Sequence, residues 1–133
     1  MVRTPNFLTL AEVLEIHRDQ IQRYGGSLGV RDMGLLESAL AQPEASFGGA
    51  WLHHDLFDMA AAYAFHICQN HPFFDGNKRV ALTAALTFLD MNRVSVRDPK
   101  GLLRESLLRI ASGQQGKFEL AQLIRRLPKV GIR

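Results

Sequence analysis

A mainly α-helical, single-domain bundle is the fold class that the sequence predicts, and three observations predict it. The chain has 133 residues, 47% of them hydrophobic, which suits one core-bearing domain over 1–133 that needs no covalent staple. Helix-period apolar runs with capping residues recur along most of it. One segment breaks the pattern: PEASFGGAWLHH, 43–54, is glycine-bearing, aromatic and without helical period, so it reads as a loop or a short β-hairpin.

The elements follow in order. Thr9 caps a first helix whose Glu12 completes a capping box, with Leu10, Val13, Leu14, Ile16 and Ile21 falling largely on one face until Tyr24-Gly25-Gly26 stops it. Asp32 caps a shorter helix through Leu35, Leu36, Ala39 and Leu40, ended by Pro43. From Asp55 the run LFDMAAAYAFHICQN is apolar nearly all round, as a helix at the centre of a bundle must be. A second strong helix begins just after Gly76, with Leu82, Leu86 and Leu89 in phase and Asn92 placed to end it. Val94–Val96 reads as a brief strand and DPKG as a turn; helices follow near 101–112 and 117–127, separated by Gly113 and Gly116.

Composition excludes several classes. The single cysteine, Cys68, allows no internal disulfide and no cysteine-rich metal site, and reads as an inert core residue. The N-terminus has no long apolar stretch with a small-residue cleavage site, and no segment approaches about eighteen uncharged apolar residues. The expectation is a cytoplasmic protein with no membrane partner. A formal charge of +3 favours anionic partners weakly. Arg104, Arg109, Arg125, Arg126, Lys129 and Arg133 are spaced like solvated helix faces rather than a stripe, so direct DNA binding is disfavoured.

HPFFDGNKR, His71 to Arg79, stands apart. A helix starting after Gly76 directs its unpaired N–H groups and positive dipole end at this loop, which makes an anion site. Gly76 permits a tight turn and a close ligand approach. Lys78 and Arg79 sit in the first turn, where the dipole disfavours cations, so a bound anion such as phosphate would compensate them. His71 suits a general base, Asp75 a magnesium ligand beside phosphate oxygens, and Asn77 a neutral donor to a phosphoryl oxygen. Phe73 and Phe74 read as core, with Phe73 fixing the imidazole. His17 and His66 read as structural or supporting.

The loop resembles the signature of the Fic/Doc family, His-Pro-Phe-x-Asp/Glu-Gly-Asn-Gly/Lys-Arg, at His71, Pro72, Phe73, Asp75, Gly76, Asn77 and Arg79. IHRDQIQRYGG, GVRDMGLLESALAQP and DLFDMAAAYAFHICQNH extend the resemblance to the death-on-curing branch. It implies a Fic/Doc-type helical bundle whose 43–55 segment is a substrate-gripping flap. His71 would be the general base, Asp75 the Mg2+ ligand, and Gly76, Asn77, Lys78 and Arg79 the phosphate cradle for ATP, with Thr83 within reach of the nucleotide. Relatives that transfer AMP carry a second glycine where Lys78 stands and a second arginine where Leu82 stands. Those two departures imply phosphorylation of a protein hydroxyl instead, a threonine of elongation factor Tu in that branch, arresting translation. A type II toxin–antitoxin pair is implied. No Ser/Thr-x-x-x-Glu-Gly/Asn inhibitory segment occurs in the chain, so inhibition is expected in trans, from a small antitoxin whose C-terminal segment folds onto the toxin.

Three other classes stay open from the residues. Protein adenylylation is the nearest alternative. A metal-dependent hydrolase of nucleic acid would use His53, His54 and Asp55 with His71, although the spacing lacks His-x-x-x-His or His-x-x-Glu-His. A non-catalytic binding module would have no use for an intact His71 and Asp75. Titration with ATP and magnesium separates them: a transferase needs both, a hydrolase a transition metal, a module neither.

Overall fold

The structure, a computed structural model, describes residues 4–130. Helix α1, Leu10–Tyr24, opens with the expected capping box: Glu12 N–H donates to Thr9 Oγ1 at 3.1 Å and Thr9 N–H to Glu12 Oε1 at 2.8 Å. Two donors that the helix itself leaves unpaired are thereby satisfied. Asp32 caps α2, Met33–Ala41, its Oδ1 accepting the Leu35 N–H at 3.0 Å. Strands β1, Ser46–Phe47, and β2, Ala50–Trp51, form an antiparallel hairpin with Ser46 opposite Trp51. Its two-residue turn holds Gly48 at φ 59° and Gly49 at φ 81°, the paired left-handed conformation that glycines supply without strain. Trp51 packs edge-on against Phe7 at 5.5 Å, and Phe7 stacks on Phe88 at 5.9 Å. The base of the hairpin is thus tied to the bundle, while Phe47 at its tip is 81% exposed.

Helix α3, Leu56–Asn70, is the centre. It packs against α2, α4 (Asn77–Met91), α5 (Leu102–Ala111) and α6 (Lys117–Arg126), while α1 lies against α4. Buried alanines at 60, 61, 62 and 64 on α3 and at 81, 84 and 85 on α4 keep both faces low, so the two backbones approach closely. Around them Tyr63, Phe73 and Phe88 are fully buried, each contributing roughly 2–3 kcal/mol by removal from water. The Tyr63 hydroxyl oxygen accepts the Leu8 N–H at 2.9 Å. The core stripe of α4 differs from the leucine phase expected of it. Val80, Ala81, Ala84, Ala85, Phe88 and Leu89 are buried, and Leu82 and Leu86 are partly exposed flanks, because close contact with α3 selects small residues. Asn92 ends α4 as expected, its side chain bonding the Phe88 carbonyl at 2.8 Å and both backbone groups of Asn6. Residues 94–96 make a single bridge, Val96 to Lys129, rather than a strand.

Two cations expected on solvated faces have structural work instead. Arg125 bridges Asp55 and Asp58 at 2.9 and 2.8 Å, clamping α6 to the capped start of α3. Burial alone would raise the Asp55 carboxyl, but the Asp58 N–H and the guanidinium outweigh it and hold the pKa down. Lys129 caps the end of α6 through the carbonyls of Ile124, Arg125 and Leu127.

The base of the hairpin is also held by a titratable knot. Lys117 Nζ lies 3.0 Å from both His53 Nε2 and His66 Nε2, joining β2's successor, α3 and α6. Desolvation, then the Lys117 charge, pushes the His66 pKa down to about 4 and lowers His53 as well. The His53 Nδ1 is enclosed without a partner in hydrogen-bond geometry, although the Gln42 backbone lies near enough to oppose the shift. A lowered histidine pKa means that the unfolded chain takes up the proton first, so stability is complete above pH 6.5 and declines as pH falls toward 4. The melting temperature of the wild type should fall through that window. In the His53→Gln/His66→Gln variant it should stay nearly level until carboxylates such as Asp55 begin to protonate, which thermal melts at half-unit pH steps would show.

Candidate active site

The HPFFDGNKR loop connects the ends of the two core helices, and its shape is set from within by Asn77. This side chain is 4% exposed. Its Oδ1 accepts the Phe73 N–H and its Nδ2 donates to the Phe73 carbonyl, both at 2.9 Å. Both backbone polar groups of a buried residue are thus closed by one amide. The Asn77 side chain is therefore committed to the loop, and the group it has left for an anion is its backbone N–H. Phe73 is fully buried, and its ring stacks at 3.9 Å on His17 of α1, not on His71. Phe74, expected in the core, is 56% exposed and lies over Gly29, where a Cβ would meet its ring at 3.4 Å.

From outside, the linker between α1 and α2 wraps the loop like a collar. Arg31 donates to the His71 and Asn70 carbonyls at 2.8 and 3.1 Å, satisfying and neutralising the C-terminal end of α3. The N–H groups of Arg31 and Asp32 both reach the Pro72 carbonyl, and Val30 pairs with Phe73. Ser27 N–H donates to Asp75 Oδ2 at 2.8 Å. At Gly26, φ 116°, a Cβ would stand 3.1 Å from Ile21 Cδ1 and 3.2 Å from the Asp75 Cβ, so both conformation and space demand glycine there. Held this way, His71 adopts φ 50°, ψ 53°, a left-handed conformation costing a non-glycine residue roughly 1–2 kcal/mol.

The result is a recess of about 320 Å³ lined by His71, Phe74, Asp75, Gly76, Asn77, Lys78 and Arg79. The structure thus brings together every expected site residue but Thr83, which is half-buried one turn beyond Arg79 and lines neither this recess nor its neighbour. The first intrahelical bond of α4 runs from Val80 N–H to the Gly76 carbonyl at 2.9 Å. The N–H groups of Asn77, Lys78 and Arg79 precede it and remain for a ligand. Gly76 sits at φ 80°; a Cβ there would make only ordinary contacts, with Ile21, Arg79 and His17. Within the protein, glycine is needed there for the left-handed turn rather than for space.

The two first-turn cations differ. Arg79 donates to the Gly25 carbonyl at 3.1 Å and lies 5.4 Å from the Tyr24 ring centre, so the end of α1 offsets part of its unfavourable place on α4. Lys78 makes no hydrogen bond or ion pair among the described residues and is exposed. A second recess of about 230 Å³ adjoins the first, sharing Lys78 and Arg79, with Leu82, Leu107 and Leu108 as its apolar wall and Arg104 of α5 across it. Arg104 was unreadable as a site residue, because its spacing on α5 is that of any surface cation. Ser27 and Arg31 act over 39 to 48 residues of sequence and left no local signal. His17 did leave one: it interrupts the buried stripe Val13–His17–Ile21 at the position four residues from each neighbour.

The histidines that suggested a hydrolase are dispersed. His53 is bound to Lys117, Asp55 to Arg125, and His54 lines a separate cavity of about 330 Å³ beside Trp51 and Met91. Among the described residues no three His, Cys, Asp or Glu side chains converge as metal ligands. Nor is any described helix long and apolar enough to cross a membrane.

Known proteins are similar to this chain in sequence. The sequence model of the Fic/DOC family matches residues 7–89, which hold α1, the collar, α3, the loop and most of α4. The chain is 47% identical over 73 residues to Toxin Doc of Mycolicibacterium smegmatis, a match covering 55% of this chain and 56% of that protein. It is 34% identical over 116 residues to Protein kinase doc of Escherichia phage P1, covering 87% of this chain and 90% of the phage protein. The first match therefore spans little more than half of its relative, the second most of it.

The first two residues of α4, Asn77 and Lys78, should respond differently to substitution. Asn77→Ala leaves the buried Phe73 N–H and carbonyl unpaired and should lower stability by about 2–4 kcal/mol. Lys78→Ala should leave it within about 0.5 kcal/mol of wild type. Urea denaturation of the two variants measures both.

Proposed function

Because the chain belongs to the Fic/DOC family, we propose that it is a phosphotransferase that moves the γ-phosphoryl group of ATP to a serine or threonine hydroxyl of a protein. One observation carries this reading: an exposed histidine shares a single recess with the unpaired N–H groups of α4, a free lysine and an arginine. A proton acceptor and an anion cradle side by side are the main requirements of phosphoryl transfer, which depends on positioning and charge neutralisation. In this reading His71 takes the proton of the attacking hydroxyl. The new O–P bond forms at the γ-phosphorus as its bond to the β,γ-bridging oxygen breaks, and ADP departs. Lys78, Arg79 and the N–H groups of residues 76–79 meet the charge that develops.

Asp75 fits magnesium. Its carboxylate is exposed and one oxygen is fixed by Ser27 N–H, leaving the other for an ion that keeps several waters and takes its remaining ligands from phosphates. When bound, magnesium neutralises phosphate charge. The chain's own part is to orient Asp75 through Ser27 and to keep Gly76 in its turn.

The relatives' names support a toxin. We extend the reading to a type II toxin–antitoxin pair in the cytoplasm: the target is a threonine of elongation factor Tu, translation stops, and a small antitoxin blocks the enzyme in trans. The hairpin, fixed at Trp51 and exposed at Phe47, is suited to grip that target. AMP transfer is the second reading, and Arg104 favours it. With Leu82 unable to supply a second guanidinium, this one enters the neighbouring recess from α5.

Two experiments test these assignments. With elongation factor Tu as acceptor, label should be incorporated from γ-labelled ATP and not from α-labelled ATP; incorporation from the α-label with pyrophosphate release would establish AMP transfer. His71→Ala should lose about a hundred- to ten-thousand-fold in rate while melting within a few degrees of wild type, since the side chain is exposed. Retention of rate within a few-fold would remove His71 as the base.

A further inference from the structure

His17 lies on α1, outside the recess, yet it is one of the few buried polar side chains and touches the loop twice. Its ring stacks on Phe73 with planes 9° apart, and its Nε2 is 3.0 Å from the Asp75 carbonyl oxygen. A carbonyl only accepts, so Nε2 carries the hydrogen in this contact, whatever the state of Nδ1. The peptide from Asp75 to Gly76 is trans, as are all described peptide bonds, so its N–H points opposite to its C=O. Holding the carbonyl on α1 therefore turns the Gly76 N–H away from α1. No α1 residue lines the recess, and the Gly76 N–H has no protein partner among the described residues. The N–H groups of Asn77, Lys78 and Arg79 follow it in the chain and likewise precede the first intrahelical bond of α4.

We propose that His17 is a positioning residue that latches the Asp75–Gly76 peptide so that the Gly76 N–H, and not the Asp75 carbonyl, faces the bound phosphate. The need for a latch comes from Gly76 itself. With no side chain, this residue occupies left-handed and right-handed conformations at similar cost, so a rotation of the peptide plane about its flanking bonds is cheap. The flipped peptide would put a carbonyl oxygen in the recess and exchange attraction for repulsion at the point of highest ligand charge. His17 selects one of the two orientations, and stacking on the buried Phe73 ring keeps the imidazole in place to do so. The inference deepens the phosphotransferase reading and rests on its anion site.

The test uses the full chain. His17→Phe keeps a buried aromatic ring against Phe73 and removes the donor; His17→Gln supplies a side-chain N–H donor again. His17→Phe should stay folded and bind magnesium ATP about tenfold more weakly by calorimetry, the worth of one hydrogen bond to a charged group. KM should rise accordingly. The pH profile of kcat should not move, and His17→Gln should recover most of the affinity. In wild-type protein the Gly76 amide resonance should shift on titration with inorganic pyrophosphate. Nucleotide binding by a folded His17→Phe within twofold of wild type overturns the inference, as does a folded His17→Gln that loses tenfold. If His17→Phe does not fold, the glutamine variant and the Gly76 resonance decide. Should the amides of Asn77, Lys78 and Arg79 respond to pyrophosphate and Gly76 not, the latch falls and the phosphate site stands. Should none of the four respond, both fall.

Discussion

One side chain, Asn77, closes both backbone polar groups of Phe73 from the first turn of the helix that it begins. The rest of the site depends on that closure. The chain must leave α3 and enter α4 within a few residues while Phe73 plunges into the core, and a buried peptide cannot be left unpaired without a cost of about 1–3 kcal/mol per group. With the amide in place the turn is fixed, the first turn of α4 has its N–H groups outward, and Lys78 is carried to the mouth of the recess. Any looser connection would leave the same residues present and the same charges nearby without a defined place for an anion.

A second constraint comes from the collar. Exposed loops have few apolar contacts of their own, and HPFFDGNKR also holds a histidine in a left-handed conformation. Its shape is maintained by bonds from Ser27, Val30, Arg31 and Asp32, which lie some forty residues earlier. The collar is held in turn by α1 and α2, whose capping residues fix where each helix ends. Two local capping motifs thus become long-range geometry at the site. Arg79 shows the coupling most clearly, since it belongs to the cradle and is also bound to the last turn of α1. Its guanidinium thus ties the first turn of α4 to the end of α1.

The sequence made legible whatever is local. Thr9 with Glu12, Asp32, a short hairpin within 43–54 and the placement of HPFFDGNKR between two core helices all rest on interactions spanning a few residues, and each stands where the pattern puts it. What was illegible involves partners far apart in sequence. Phe73 and Phe74 are adjacent and chemically alike, and only the path of the collar decides that one is buried and the other is exposed over Gly29. Leu82 and Leu86 share the phase of the buried Leu89 because hydrophobicity is written in the sequence, whereas the closeness of α3, which selects alanine, is not, and it leaves those two on the flank. Asn77 carries a role within the motif, but periodicity could not show that its side chain turns inward and its backbone outward.

The central claim is that the cradle exists before its ligand does, built by Asn77 within and by the collar without. A crystal structure of the protein with magnesium and a non-hydrolysable ATP analogue tests it most directly. Expected are phosphate oxygens on the N–H groups of Gly76 to Arg79, Asp75 on the metal, and backbone from His71 to Arg79 displaced by less than about 1 Å, as in other preorganised sites. A phosphate bound elsewhere, or a loop that must release the Asn77–Phe73 pair to receive it, would contradict the account.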